Sequence, residues 1–328
     1  MPEALCRYNS WSRWLRERWG TRVQKISLDS GAGCPNRKGL VSGGCIFCDA
    51  RGGGSGAFLR GENLGSQIRR GFGRLDRVSG TTMALLYFQS YSPTNTTPEK
   101  FRETLESTLA LSRNIGRVAG IAIGARPDQV PDDILDIMER LGEKNSIDVW
   151  LELGVQTIDP SGLKWLSRGH DLEEIEDAVA RTAGRKIFVC AHLISGIPGE
   201  RSLQLSHSSR WLAERGVQAL KFHPLHVLRG TMLEKLYLES SFVPIIKEDY
   251  VSEVVHAIRV IPGDVLIQRL SADADPPELI APDWLSRKAQ VISLIQGRLE
   301  ELGAFQGDMS TSSFGSQCNP EKPEPEGI

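Results

Sequence analysis

Short runs of apolar and β-branched residues alternate with helical segments over most of the chain. The six runs are predicted strands at residues 23–28, 83–89, 118–124, 149–156, 187–195 and 218–224. Helices are predicted between them at residues 98–112, 131–141, 172–183 and 203–215. This alternation is typical of βα units around a parallel sheet. Six units predict an α/β fold with a partial (β/α)6, TIM-like barrel over residues 23–225, because a closed barrel of this type has eight.

The segment before the first strand is predicted to be an amphipathic helix. Trp11, Trp14, Leu15 and Trp19 recur at helical spacing within residues 1–22. We expect this helix to pack on the barrel with its arginines in solvent. A helix that faces nucleic acid is the alternative.

Two segments follow the barrel. Residues 226–304 predict a C-terminal α/β extension that closes over the barrel, with a strand at 264–270 and helices at 231–240, 246–260 and 283–302. Residues 305–328 are rich in Ser, Gly, Pro and Glu. We expect a disordered tail there, because so few apolar side chains cannot offset the entropy lost on ordering.

The composition is that of a water-soluble globular protein. Charged residues make up 24% of the chain, and the formal net charge of −2 argues against wholesale attraction to nucleic acid or to an anionic membrane. No apolar run approaches the roughly 20 residues that span a bilayer, and the N-terminus lacks the apolar segment of a secretory signal. We therefore expect a cytoplasmic protein without a membrane partner, whose six cysteines are reduced.

Three of the six cysteines lie close together after the first predicted strand. Cys34, Cys45 and Cys48 have the spacing C-x10-C-x2-C in a glycine-rich segment. Three thiolates at a barrel mouth can hold three irons of a [4Fe–4S] cluster and leave the fourth iron open. Phe47 is placed to shield that cluster or to contact an adenine. The alternatives are a zinc knuckle, which normally takes four protein ligands, and a redox C-x2-C pair, which leaves Cys34 unexplained.

The order of motifs over residues 23–225 resembles that of radical S-adenosylmethionine (SAM) enzymes. The expanded cysteine loop is similar to that of the elongator catalytic subunit and of the bacterial YhcC/YtqA-type family. Gly-Ala-Arg-Pro-Asp at 124–128 resembles the elongator Glu-Thr-Arg-Pro-Asp, and Glu-Leu-Gly-Val-Gln at 152–156 matches the same sequence in the family. Ser-Arg-Gly-His at 167–170 resembles an Asn-Arg-Gly-His motif, also found in oxygen-independent coproporphyrinogen oxidase. Residues 192–199 resemble the family's nucleoside-binding turn.

The resemblance implies both cofactors and the reaction. A [4Fe–4S] cluster on Cys34, Cys45 and Cys48 would bind SAM at the open iron through the SAM amino and carboxylate groups. A one-electron donor, such as flavodoxin or ferredoxin, would drive cleavage of SAM to a 5′-deoxyadenosyl radical, which removes hydrogen from the substrate. The protein then supplies position, orientation and exclusion of water.

The resemblance also implies which residues bind SAM. Gln156 and Arg168 would contact SAM, Arg168 through the SAM carboxylate, since a guanidinium matches a carboxylate in two hydrogen bonds. Glu152 would bind the SAM amine or ribose, and His192 belongs to the nucleoside-binding turn. Many members carry Gly-Gly-Glu after the second strand; here Gln89 can accept the hydrogen bond of the SAM amine, but without the charge.

Three further residues near the predicted strand ends are candidates. Cys190 shares one face of the fifth strand with His192, and we interpret it as a small core residue rather than as a thiol near the radical. His223 and His226 flank Pro224 at the end of the sixth strand. They are either substrate contacts or hydrogen-bonded loop residues.

The elongator resemblance implies a tRNA substrate, modified at the C5 side chain of the wobble uridine. Residues 60–77 carry five arginines against two acids, which predicts either a phosphate-binding patch or a solvated helix face. One alternative is a radical SAM enzyme that acts on a small-molecule cofactor precursor of the tetrapyrrole type. The other is a metal-binding, RNA-associated module without catalysis.

Overall fold

The computed structural model describes residues 7–38, 42–78, 82–274 and 276–310. Cys6, Cys318 and residues 311–328 of the predicted tail lie outside these ranges.

Seven parallel strands form the main sheet, and their order in space is their order in the chain. They are β1 (Arg22–Leu28), β2 (Thr82–Phe88), β3 (Val118–Ala125), β4 (Asp148–Gln156), β5 (Phe188–Ser195), β6 (Ala219–Pro224) and β7 (Leu266–Arg269). The first six correspond to the six predicted strands. The seventh comes from the segment assigned to the extension, because Leu266 continues the parallel ladder beside Ala219. Residue 225 is therefore not the end of the sheet.

The sheet curls so that its two edge strands face each other. Lys25 on β1 donates from Nζ to Oε1 of Gln268 on β7 over 3.0 Å. The backbone of Asn9 accepts from the Ile267 amide at 2.8 Å and so extends the β7 edge. The result is a partial barrel whose concave face looks inward. Its mouth lies where the strands end, since all seven run the same way.

The described residues form ten α-helices, most of which cover the convex face of the sheet. They are α1 (Trp11–Trp19), α2 (Leu64–Leu75), α3 (Pro98–Arg113), α4 (Asp132–Asn145), α5 (Pro160–Trp165), α6 (Leu172–Thr182), α7 (Gln204–Glu214), α8 (Met232–Leu238), α9 (Lys247–Val260) and α10 (Lys288–Glu301). Capping residues fix the starts of two of these helices. Thr97 caps α3 just before Pro98, and Asp171 with Glu174 forms a capping box on α6. None of the described helices is both long enough and apolar enough to cross a bilayer.

Short elements complete the chain. Single turns of 3-10 helix lie at Phe58–Arg60, Asp76–Val78, Pro127–Gln129 and Asp283–Arg287, the last leading into α10. Two-stranded ribbons pair Arg37–Lys38 with Ser42–Gly43 and Val227–Leu228 with Leu279–Ala281.

The N-terminal helix packs on the barrel, as predicted, and it does so from inside. Trp11 and Trp14 of α1 contact the ring of Trp150 edge-on, each with 5.7 Å between ring centroids. Trp150 stacks on Phe188 at 4.8 Å. These four rings, which we call the aromatic plug, lie near the N-terminal ends of the strands. They close the bottom of the barrel by burying large apolar side chains.

The predicted tail contains six ordered residues, so the prediction of disorder is wrong for residues 305–310. Gln306 is buried, and its amide donates to the Pro262 and Val265 carbonyls at 2.6 and 2.7 Å. Its carbonyl accepts from the Asn9 amide at 2.8 Å. Composition could not predict this order, because the segment is held by the hydrogen bonds of a single glutamine to three specific partners.

Candidate active site

The three clustered cysteines lie in the loop that follows β1, at the barrel mouth. Cys45 is buried, whereas Cys34 and Cys48 are partly exposed. Backbone hydrogen bonds fix the loop: the Ile46 amide donates to the Leu166 carbonyl at 3.1 Å, and the Ile46 carbonyl accepts from the Leu233 amide at 2.8 Å. The loop is thus held between the end of α5 and the start of α8.

The glycine beside Cys45 is required by the shape of this loop. Gly44 has φ +91°, which L side chains rarely adopt. A Cβ there would lie 2.8 Å from Nε of Arg37. Arg37 in turn donates to the Cys48 and Asp49 carbonyls at 2.5 and 2.8 Å. Gly44 therefore lets an arginine bind across the backbone that carries Cys48.

The donor set does not converge on a point. Within residues 7–38, 42–78, 82–274 and 276–310, no three His, Cys, Asp or Glu side chains are placed to hold one metal ion. A zinc knuckle needs such convergence. In a cubane cluster each thiolate binds a different iron, so the cysteines stand apart.

Arg168 contacts the buried thiol directly. Its Nη1 lies 3.0 Å from Cys45 Sγ, and its Nη2 donates to the Gly154 carbonyl at 2.6 Å. The residue is 6% exposed. No carboxylate among the described residues pairs with it. A buried cation without a carboxylate is costly, and here the group that faces it is a thiol.

The predicted motifs hold one another in place around Arg168. The Arg168 carbonyl accepts from Arg126 Nη1 at 2.5 Å and from Asn36 Nδ2 at 3.1 Å. Arg126 forms a two-point pair with Asp128, at 2.8 and 3.0 Å. Residues 34–36, 126–128 and 167–170, distant in the chain, thus meet at one point of the mouth.

Gln156 ends β4 beside Arg168 in a strained conformation. Its φ is +72°, a value uncommon for a residue with a side chain. Its Oε1 is buried with no hydrogen-bond partner in the described part of the chain. A Cβ on Gly154 would lie 3.0 Å from Gln156 Nε2 and 3.1 Å from Arg168 Nη2. Gly154 leaves room for both side chains, and Gln156 retains a free acceptor.

Gln89 and Phe47 both have partners within the protein. Gln89 accepts from the Ser27 hydroxyl at 3.2 Å and donates to the Gly53 carbonyl at 2.6 Å, so it joins two strand ends to the loop after Cys48. Phe47 packs against the apolar cluster that includes Leu225 and Leu233. Their contacts with SAM stay predictions.

Glu152 and His192 lie deeper in the barrel than the cysteine loop, in what we call the lysine–glutamate network. Both oxygens of Glu152 have protein partners: Oε1 accepts from Lys25 and Gln268, and Oε2 contacts Lys221 at 3.0 Å and His192 at 2.8 Å. The network consists of these five residues. Sequence reasoning missed both lysines, although each stands within a predicted strand.

Burial and neighbouring charges set the protonation states of the network. Burial alone would raise the pKa of Glu152, but the Lys221 and Lys25 ammonium groups and His192 outweigh it and hold that pKa well below its usual value. Burial and then Lys221 lower the pKa of His192 to about 4. Burial lowers the pKa of Lys221 to about 8, against the attraction of Glu152. At pH 7 Glu152 and Lys221 are charged and His192 is neutral.

Three further histidines and Cys190 are buried or half-buried. Cys190 is fully buried among the residues around the aromatic plug, which confirms it as a core residue, and burial raises its pKa. His226 Nδ1 lies 2.9 Å from the Pro224 carbonyl, and burial lowers the pKa of both His223 and His226. His170 is buried too; burial, then Arg168 and Arg126, lower its pKa to about 2.

With this geometry in view, the chain was compared with known proteins. Residues 30–205 match the radical SAM superfamily, and residues 217–301 match the radical SAM C-terminal domain. The chain belongs to the radical SAM superfamily. It is 34% identical to the uncharacterized protein YtqA of Bacillus subtilis, over 92% of each chain. It is 32% identical to protein YhcC of Escherichia coli, over 84% of this chain and 86% of that one.

More distant similarities are to tRNA-modifying proteins. The chain is 25% identical to the tRNA uridine(34) acetyltransferase of Methanocaldococcus infernus, over 57% of this chain and 34% of that one. Its fold matches the structure of the archaeal M. infernus Elp3 with a TM-score of 0.64 and 18% identity, over 87% of this chain and 64% of that one. This second similarity shows the fold alone.

Membership makes the protein a radical SAM enzyme whose cofactors are a [4Fe–4S] cluster and SAM. The buried groups at the mouth fit these cofactors. The Arg168 cation faces Cys45 with no carboxylate partner in the described ranges. Gln156 Oε1 adds an acceptor that no described protein group uses.

Proposed function

We propose that Cys34, Cys45 and Cys48 hold the cluster and that the substrate is the wobble uridine of tRNA. The observation that carries the first part is the 3.0 Å contact between Arg168 and Cys45, which connects the cysteine loop to the end of β4. The similarity to a tRNA uridine(34) acetyltransferase supports the second part. The rest of that larger protein has no counterpart in the comparison, so the reaction at uridine 34 need not be the same.

When bound, the cofactors supply a carbon radical that removes hydrogen from the substrate. The protein's own groups position and shield. Arg168 donates to the Cys45 sulfur and orients that ligand, as groups behind metal ligands commonly do. Gln156 presents a free carbonyl oxygen toward the same space and accepts a hydrogen bond from SAM. The aromatic plug closes the bottom of the barrel and excludes water from that side.

The RNA would bind along α2, which begins beside the cysteine loop. Gln67 of α2 is buried and exchanges two hydrogen bonds with the backbone of Asp29, at 2.7 and 3.0 Å. On the outer face Arg69, Arg74 and Arg77 are exposed and form no ion pair with a described residue. Three such cations suit phosphates.

Arg60 and Arg70 are less suited to this role. Both pair with Glu62, which offsets part of their charge. The arginines of residues 60–77 therefore differ in how free their charge is to bind phosphate. Substitutions of Arg69 and Arg74 test RNA binding better than a substitution of Arg70.

The first experiment tests the cluster ligands. Anaerobically reconstituted protein, reduced with dithionite in the presence of SAM, should release 5′-deoxyadenosine. Cys48→Ala should lower that release to the background rate and lower the iron content. Cys190→Ala is the matched control and should keep both, because Cys190 lies near the plug. Equal product from Cys48→Ala and the parent protein would contradict the assignment.

The second experiment tests the RNA. The double variant Arg69→Glu/Arg74→Glu should weaken tRNA binding at least tenfold and flatten its salt dependence, while 5′-deoxyadenosine release persists. The matched control, Arg102→Glu/Arg140→Glu, reverses two exposed arginines of α3 and α4. Mass spectrometry of tRNA nucleosides reads out modification. If both doubles bind tRNA equally and no nucleoside changes mass, the tRNA proposal fails and a small-molecule substrate takes its place.

A further inference from the structure

The lysine–glutamate network brings two ammonium groups to one carboxylate inside the barrel. Lys25 and Lys221 each pair with Glu152, and no second carboxylate among the described residues reaches either lysine. His192 is neutral and Gln268 is uncharged. The nearby Arg269 shares the single carboxylate of Asp273 with Lys288, so it brings no spare negative charge to the network. At least one positive charge is therefore left without a partner in a desolvated place, where charges are normally paired.

The side of the network that a bound molecule would meet is positive. The Glu152 side chain is 0% exposed, whereas that of Lys25 is 21% and that of His192 is 16% exposed. The lysines behind this surface are held rigidly. Lys25 lies over the Tyr87 ring at 4.3 Å, and the Lys221 Nζ is 3.5 Å from the Tyr87 hydroxyl. The carboxylate is hidden, Lys25 is partly exposed, and Lys221 lies just behind it with a side chain that is 7% exposed. This is the arrangement of a preorganised site for an anion.

The network lies directly below the cysteine site. Glu152 precedes Gly154 by two residues on β4, a distance of about 7 Å along a strand. Gly154 accepts from Arg168, which contacts Cys45. A molecule with an anionic group on the network would thus hold its neighbouring carbons beneath the cluster. The family resemblance implies that the SAM carboxylate would be engaged at the cluster, so an anion on the network would belong to another molecule.

We propose that the lysine–glutamate network binds an oxyanion, a carboxylate or a phosphate, carried by the substrate. The proposal rests on the proposed function only in that the substrate reacts below Cys34, Cys45 and Cys48. It defines a chemical class of substrate whether or not that substrate is RNA. The anionic group would be the buried end of the substrate. Its position on the network would therefore set the distance between the reacting carbon of the substrate and the cluster.

The test measures anion binding by thermal stability. The reconstituted full-length protein is melted at pH 7 in increasing sodium acetate or sodium phosphate, with sodium chloride holding ionic strength constant. A saturable rise in Tm of about 2 °C is expected, the shift for a ligand at about ten times its Kd in a chain of 328 residues. A response to acetate alone assigns a carboxylate, and a response to phosphate alone assigns a phosphate. No response beyond chloride overturns the proposal.

Two variants and one control make the result specific. Lys221→Met leaves Lys25 balanced by Glu152 and should abolish the oxyanion shift, whereas the exposed Lys186→Met should keep it. Glu152→Gln leaves the positive charges of both lysines without a carboxylate and should enlarge the oxyanion shift. If Lys221→Met does not fold, the Glu152→Gln variant is the one that tests the proposal. A Lys221→Met shift equal to that of the parent, or no enlargement in Glu152→Gln, overturns the proposal.

A final arm separates substrate from SAM. Saturating SAM should leave the oxyanion shift in place, and its loss would assign the site to the SAM carboxylate and overturn the proposal. Release of 5′-deoxyadenosine from the same preparation reports on the cysteine site independently. The oxyanion proposal can therefore be refuted while the cysteine assignment stands, and the cysteine assignment can be refuted while oxyanion binding is observed.

Discussion

The two ends of the barrel are built on opposite principles. The bottom is closed by the aromatic plug, in which Trp150 is fully buried and stacks on Phe188. The mouth instead gathers charged and amide groups, and Arg168 Nε and Gln156 Oε1 have no hydrogen-bond partner in the described chain. The indole Nε1 groups of Trp11 and Trp150 in the plug also lack a partner there, and an unmade hydrogen bond is costly at either end. At the mouth, however, the unpaired groups lie beside the cysteine loop, so we assign stability to the bottom and chemistry to the mouth.

The largest effect should come from breaking the bottom. Trp150→Ala removes the central ring of the plug and should lower the free energy of unfolding by about 3–5 kcal/mol. Urea denaturation measures the loss. Iron bound per folded chain should stay unchanged, since the cysteine loop does not contact the plug. Trp211→Ala, on the outer helix α7 where the ring meets Arg215 at 3.7 Å, is the control and should cost less. Equal losses would show that the plug has no special role.

A smaller effect is expected from changing the mouth. Arg168→Met removes the hydrogen bond to the Cys45 sulfur and should weaken iron retention against a chelator by roughly 10–100-fold. The control is Arg185→Met, which removes an arginine that pairs with Asp132 and Asp136 at the other end of the sheet. Unchanged iron retention together with a raised Kd for SAM would instead support the role predicted from the sequence, a contact with the SAM carboxylate.

The smallest effect concerns pH at the turn after β5. Burial, and then the charges of Asp159 and Glu253, raise the pKa of Glu200 to about 7. A carboxyl whose pKa is raised in the folded state contributes stability at low pH, and that contribution is lost as pH rises from about 4.5 through 7. Glu200→Gln should therefore melt one or two degrees higher than the parent at pH 8 and equally at pH 5. The exposed Glu17→Gln should show no such difference, and a Tm difference for Glu200→Gln that is the same at both pH values would refute the assignment.

Several features were predictable because they depend on local patterns. The alternation of apolar runs and helices gave six strands to within a residue or so, and Thr97 and Asp171 mark helix starts by their side chains alone. The spacing of Cys34, Cys45 and Cys48 also lies in one short segment. Cys190 was correctly placed in the core because a free cysteine usually behaves as a small buried residue.

Other features depend on contacts between distant residues. The seventh strand was assigned to the extension because only pairing with β6 makes it part of the sheet. Gln306 lies at the start of a segment that composition marked as disordered, and its partners are Asn9, Pro262 and Val265. Lys25 and Lys221 stand in two strands, 196 residues apart in the chain, and nothing in either strand indicates that both meet Glu152.

The sequence by itself determined the family, the cysteine loop and the order of βα units, since each is written in residue type and spacing. Only the tertiary structure decided which partner each buried charge has. It directed Arg168 to the Cys45 sulfur, enclosed Glu152 between two lysines and paired Arg70 with Glu62 while leaving Arg69 exposed. The physical reason is that a charged group pairs with whichever group the fold places within about 3–4 Å of it. The number of residues between two groups in the chain does not predict that distance.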